Sequence, residues 1–462
     1  MLLPDLVVRS RRVVTPQGTR PGAVHVRNGR IVGVLGLDDV PSGCELDDAA
    51  DAVVLPGIVD SHVHLCERAG AESEAFETAT RSAAAGGVTT IVGMPFEAAS
   101  ATTSVPALEE KRRAAEGRCF VDVGFWGGVV RGNARDLPPL FDAGVLGFAC
   151  ALADSGFHGD TAVSEADLRV AMPVLTRIGA PLLAHAELAG PIDRAATAHR
   201  MERRWFDRVP GMSRASRRYG TYLESRPREA ENEAVSLLIQ LCREHRTRTH
   251  VVALSSSDAL APLFHARAAG LPITAETCPH YLYFVADEIS TGATAFKCAP
   301  PIRERENREL LWAALAGGVI YMVASDHWPS APVKTYDFMQ ARGGIASLQL
   351  GLSIVWSAAR PRGYTLDHVA RWMCRAPARL AGLSRKGAIE VGYDADLVVF
   401  EPDAEFAVAR KTLDRAHELT PYLGRRLSGV IERTYLRGNQ ICQNGREMPP
   451  PQGKLLVRNA SG

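Results

Sequence analysis

The chain has 462 residues, enough for a barrel-sized core and an accessory domain. Its 53 Lys and Arg balance 52 Asp and Glu, so no global field exists to hold a polyanion, and nucleic acid is excluded as a partner class. Hydrophobic residues at 46% and charged residues at 23% exclude wholesale disorder, and the Gly and Pro lack the period of a fibrous chain.

The start, MLLPDLVVRSRRVV, lacks a basic region ahead of its apolar run and breaks at Pro4, so no secretory signal is expected. The runs LVVRSRRVV and AVHVRNGRIVGVL alternate apolar and polar residues, which predicts strands, and Asn28-Gly29 predicts a tight hairpin. From residue 55 onward, short apolar runs alternate with amphipathic segments. The predicted strands are LPGIVDSHVHL, GVTTIVGMP, CFVDVGFWGG, GVLGFACAL, PLLAHAE, THVVALS, ITAETCP and IYMVASDH. Predicted helices between them include AFETATRSAAAGG, SEADLRVAMPVLTRIG, AENEAVSLLIQLCREH and NRELLWAALAGG. Eight strands in β-helix-β order predict an α/β fold, a (β/α)8 TIM-like barrel. No GxGxxG follows the first strand, which argues against a dinucleotide-binding sheet. The Arg- and Ser-rich stretch 207–228 is expected to be a long loop near the barrel mouth. After residue 385, GAIEVGYDADLVVFEP and GVIERTYLRGNQICQNG again read as strands punctuated by Gly392, Gly438 and Gly445. The expected domains are therefore residues 1–54 and 386–462, which together make one small β-sandwich from both termini, and residues 55–385, which make the barrel.

No run of about 18 apolar residues occurs, so no membrane helix is expected. The nine Cys include no CxxC pair and read as reduced thiols of a cytoplasmic protein. Only six Lys occur, and none lies between Lys111 and Lys297.

His62 and His64 form an HxH pair at the end of the first barrel strand, where residues two apart face the same way. His185 in PLLAHAE, His280 in ETCPH, and Asp326 and His327 in VASDHWP sit at other strand ends. Each alone is more often structural. Imidazoles and a carboxylate from strands 1, 5 and 8 converge once a barrel closes, and that set suits Zn2+ or a similar ion.

The segments PGIVDSHVHL, ATRSAAAGGVTTIVGMP, PLLAHAE, ESRPREAENEAV, ETCPHYL, FKCAPPIRE, VASDHWP and GYDADLVVF resemble the cyclic amidohydrolases, allantoinases most closely. Hydantoinases and dihydroorotases are more distant relatives. The resemblance runs from about residue 5 to 445. It implies a metal-dependent barrel with a β-sandwich, and hydrolysis of a cyclic amide or ureide or the reverse ring closure. It also implies two ions that activate a water and polarise the scissile carbonyl, while a strand-8 Asp moves the proton to the leaving nitrogen. Carried over by motif, His62 and His64 hold the first ion, His185 a second, and Asp326 is ligand and base. Family members are often dimers or tetramers, so a homo-oligomer is implied.

Two ligands of that family pattern are missing. Where allantoinases read GFKCFL, with a Lys carboxylated to bridge the ions, this chain reads GFACAL with Ala149. Where relatives read HIVHLSS, it reads HVVALSS with Ala253. His250 remains, but its offset of three places it on the opposite face of the strand, as a structural or outer-face residue. The expectation is one divalent ion, Zn2+ by preference, held by His62, His64, His185 and Asp326, with no carboxylated lysine. Substrate-facing candidates are Cys66 and Arg68 after HVHL, His280, His327, and the backbone of Cys298, Ala299 and Pro300. Arg303 reads as an ion-pair residue. The competing functions are a catalytically inactive binding or scaffold protein and, third, a conventional allantoinase.

Overall fold

The computed structural model describes residues 3–65, 76–96, 101–153, 161–206, 215–329, 335–413, 419–446 and 448–458. The fold is a (β/α)8 barrel carrying a β-sandwich. Its barrel strands are Ile58–Val63, Val88–Gly93, the consecutive pair Asp122–Phe125 and Gly127–Gly128, Phe148–Ala151, Leu182–His185, Thr249–Val252, Ile273–Thr277 and Met322–Val323. All neighbours pair in parallel. The ring closes where Val63 bridges His327 and the His64 amide donates to the His327 carbonyl at 2.9 Å. The predicted helices form as Phe76–Ala85, Glu165–Ile178, Arg228–His245 and Arg305–Ala316. Helix Glu165–Ile178 starts on a capping box, in which Ser164 and Asp167 exchange hydrogen bonds.

Strands from both ends of the chain share one sheet. Leu6–Thr15, Gly18–Arg27 and Arg30–Leu35 form its N-terminal part, and Leu397–Ala407, Arg426–Leu436 and Asn439–Gln443 its C-terminal part. Val53–Pro56 joins them, parallel to the first strand and antiparallel to Leu397–Ala407. Asn28 and Gly29 both have positive φ, as the predicted two-residue hairpin turn requires. Alternate residues serve different cores. Leu6, Val8, Leu397 and Val399 pack within the sandwich, while Val53, Leu55, Val398 and Phe400 pack against the barrel. That division explains why these strands are apolar on both faces.

One expectation needs correcting. Residues 215–228 are not a loop, because they contain a helix, Tyr219–Ser225. Tyr219 and Tyr222 bury their rings against Phe338 and anchor it, a contact that Arg and Ser content concealed. Residues 207–214 lie outside the described residues.

Candidate metal centre

The C-terminal ends of the strands surround a narrow cavity whose lining includes His62, His64, His185, Asp326 and Trp328. No lysine lines it among the described residues. His62 and His64 present their rings side by side, 5.3 Å between centroids, and His64 lies against Trp328 at 3.9 Å. Asp326 reaches across from the last strand. Its Oδ1 stands 3.2 Å from His62 Nε2 and 3.5 Å from His64 Nε2. One donor atom from each of the three lies within 4.8 Å of the others. Two imidazoles and a carboxylate in this arrangement fit a divalent ion of the zinc type.

Buried carboxylates surround His62. Its Nδ1 is 2.6 Å from Glu276 Oε1, and Asp60 accepts from the amides of His62 and Ser325. Burial opposes charge on the imidazole, but Asp326 and Glu276 outweigh it and raise His62 to about 9. Burial lifts Asp60 to about 6 and also raises Asp326. The cavity floor therefore favours a cation at the nitrogen that faces Asp326, and a metal ion would take the place of that proton.

His185 lines the same cavity but stands outside the three-donor set. Its Nε2 is 3.0 Å from Glu187 Oε2, and Arg226 grips Glu187 through two bonds of 3.0 and 2.7 Å. Both His62 and His185 thus hold one ring nitrogen on a buried carboxylate, the usual way a protein fixes the tautomer of a metal-binding imidazole.

The alanines of strands 4 and 6 are buried. Ala149 packs in an apolar cluster with Trp126, Leu183, Val252 and Met322. Lys111 and Lys297 turn elsewhere. Lys111 Nζ donates to the Met94 carbonyl and Thr102, and Lys297 Nζ donates to the Ala341 carbonyl. Ala253 has φ of 51° and Asp326 of 48°, left-handed conformations that cost an L-residue roughly 1–2 kcal/mol each.

His250 corrects the expectation of an outer face. Its Nε2 lies 3.1 Å from Glu276 Oε2, so it faces the barrel interior. The strand ends at Val252, and the left-handed turn at Ala253 breaks the alternation from which the opposite face was inferred.

Of the substrate-facing candidates, Cys298 and Ala299 line the cavity. The carbonyls of Cys298 and Pro300 already accept from the hydroxyls of Tyr222 and Tyr281, at 2.7 and 2.6 Å. His327 is not among the described residues that line the cavity. Its Nδ1 accepts from the amides of Ser347 and Leu348, because the backbone after strand 8 folds back over it. His280 is fully buried outside the cavity lining, and burial lowers it to about 3. Neither of its ring nitrogens has a hydrogen-bond partner, a condition that costs about 1–3 kcal/mol per group. Cys66 and Arg68 lie outside the described residues. Arg303 pairs with buried Glu231 at 2.5 Å, as a structural residue.

Sequence reasoning missed Glu276, Glu187, Arg226 and Trp328. All stand inside the motifs quoted above. Glu276, Arg226 and Trp328 meet partners on other strands or loops, so no local pattern marks them, whereas Glu187 sits two residues from its partner His185 and could have been read from that spacing.

A model of the amidohydrolase family matches residues 53–441. The chain belongs to the amidohydrolase family. It is 46% identical over 456 residues to the allantoinase of Streptomyces avermitilis, covering 98% of this chain and 99% of that protein. It is 40% identical over 476 residues to the allantoinase of Arabidopsis thaliana, covering 97% and 90%. Among solved structures, the L-hydantoinase (dihydropyrimidinase) from Arthrobacter aurescens superposes with a TM-score of 0.87 at 28% identity, covering 99% of this chain and all of the other. This amidohydrolase is accordingly a cyclic amidohydrolase of the allantoinase and hydantoinase type, a hydrolase of cyclic amides. No described helix is long and apolar enough to cross a membrane.

Proposed function

We propose that this amidohydrolase opens or closes a C–N bond of a small cyclic ureide or amide, using an atypical site that holds one divalent ion tightly. The observation that carries this reading is the convergence of donor atoms of His62, His64 and Asp326 within 4.8 Å, in a cavity that no lysine among the described residues lines. Alanine at 149 and 253 supports a count of one. Two dications about 4 Å apart repel by about 16 kcal/mol at an effective dielectric near 20, and no bridging carbamate is at hand to offset it.

When bound, the ion would supply a water of lowered pKa and an electrophile for the ring carbonyl. The residues of the chain do the rest. His62 and His64 would hold the ion through the nitrogens that face Asp326, with Glu276 fixing His62 from behind. Glu187 fixes His185 beside them. Asp326, with 15% of its side chain exposed, is placed to take the proton of the attacking water and pass it to the leaving nitrogen. Donors in the pocket must meet more of the transition-state charge than in a two-ion site. The same chemistry run backward is ring closure, so the site serves either direction.

The test is metal analysis of protein expressed with added zinc, together with turnover of allantoin and of simple hydantoins. About one equivalent is expected, with turnover falling at least about a hundredfold in Asp326→Asn. Two tightly held equivalents would overturn the one-ion reading. The two alanines also favour a second reading, a binding protein without chemistry, for which no bound metal and no turnover are expected.

A further inference from the structure

The C-terminal end of strand 7 carries a second set of potential ligands. Cys278, which follows strand Ile273–Thr277, and His280, in the helix Pro279–Tyr283, come together with Asp326. One donor atom from each lies within 4.8 Å of the others. Cys278 and His280 are fully buried, and His280 is a buried imidazole whose two nitrogens have no hydrogen-bond partner. A packed core does not ordinarily leave an imidazole so. His327, by contrast, is equally buried and has its Nδ1 satisfied by two amides.

We propose that Cys278, His280 and Asp326 form an alternative, thiol-bearing seat for a soft divalent ion such as Zn2+, Co2+ or Cd2+. Asp326 belongs to both this set and the His62–His64 set, so a single ion occupies one seat or the other. A thiolate selects soft ions where two imidazoles and a carboxylate alone do so less. Binding forms a metal–sulfur bond, and the thiol proton leaves to solvent. Of the three, Asp326 lines the cavity, while Cys278 and His280 are buried behind it. This inference shares Asp326 with the proposed function but is read by a different signal, since turnover and zinc stoichiometry say nothing of sulfur ligation.

The experiment takes full-length protein stripped of metal with a chelator, kept reduced, and titrated with Co2+. A sulfur-to-metal charge-transfer band in the near ultraviolet is expected to saturate by one equivalent. It should vanish in Cys278→Ser, persist in Cys298→Ser, and persist in the double variant His62→Ala, His64→Ala. No band in the wild type, or a band that survives Cys278→Ser, would overturn the proposal. Loss of the band in Cys298→Ser instead would place the thiol on the cavity wall and overturn it equally. Should Cys278→Ser fail to fold, 113Cd NMR of the wild-type protein decides. A resonance in the thiolate-ligated range supports the seat, and one in the range of nitrogen and oxygen ligands alone refutes it.

Discussion

Glu276 is a fully buried carboxylate with both oxygens engaged, one by His62 and the other by His250, whose Nδ1 in turn meets Thr274. Burial works to raise its pKa, but the two imidazoles hold it down to about 2. It therefore stays ionised and keeps His62 turned toward Asp326. Glu276→Gln retains the shape but weakens the hold on the His62 Nδ1 proton. Affinity for the ion is expected to fall about 10- to 100-fold, the usual effect of removing a partner behind a metal-binding histidine. Competition against a chromophoric chelator measures it, with circular dichroism as the check on folding, and an unchanged affinity would refute the role. HxH was legible in the sequence because two histidines at strand spacing stand out. Glu276 was not, because a lone glutamate in ITAETCP looks the same whether it meets solvent or a buried imidazole.

At the scale of elements, helix Arg228–His245 positions the rim of the cavity. Its Glu231 is buried and accepts from the amides of Ser255 and Ser256, both at 2.9 Å, and from Arg303. One carboxylate thus ties the turn after strand 6 to the segment carrying Cys298 and Ala299. Glu231→Ala leaves a buried guanidinium and two amides unpaired, and is expected to cost about 3–5 kcal/mol in urea denaturation. A loss below about 1 kcal/mol would show that water or a shifted neighbour replaces it. The helices were legible because their apolar periods are long and regular, as in AENEAVSLLIQLCREH, and the eight barrel strands because short apolar runs alternate with those helices. The helix Tyr219–Ser225 was not, since its two buried tyrosines act through tertiary contacts. His250 was misplaced for a related reason. Period-two reasoning holds only while the strand lasts, and the chain turns left-handed at Ala253.

At the scale of the molecule, barrel and sandwich are riveted by a buried ion cluster. Lys386 Nζ lies 2.7 Å from Asp122 on barrel strand 3, 2.6 Å from Asp396 and 3.2 Å from Asp394. Arg437 also grips Asp122, and the Lys454 amide donates to it at 2.8 Å. Lys386→Met removes one cation from among three acids. It is expected to lower stability by about 3–5 kcal/mol in thermal or urea unfolding, with Asp122→Asn in the same chain giving part of it back. An unshifted midpoint would show that Arg437 alone suffices. The closure of the barrel through Val63 and His327 has a further consequence, for the order of events during synthesis. His62 and His64 leave the ribosome early, and Asp326 follows only after most of the barrel has been made. A nascent chain therefore carries the two imidazoles of the proposed site for most of its translation without Asp326. The strands that cover the barrel, Leu397–Ala407 and Arg426–Leu436, come later still. Capture of the proposed ion between His62, His64 and Asp326 would therefore belong to the finished polypeptide, and a chain cut short before Asp326 would lack the carboxylate of that set.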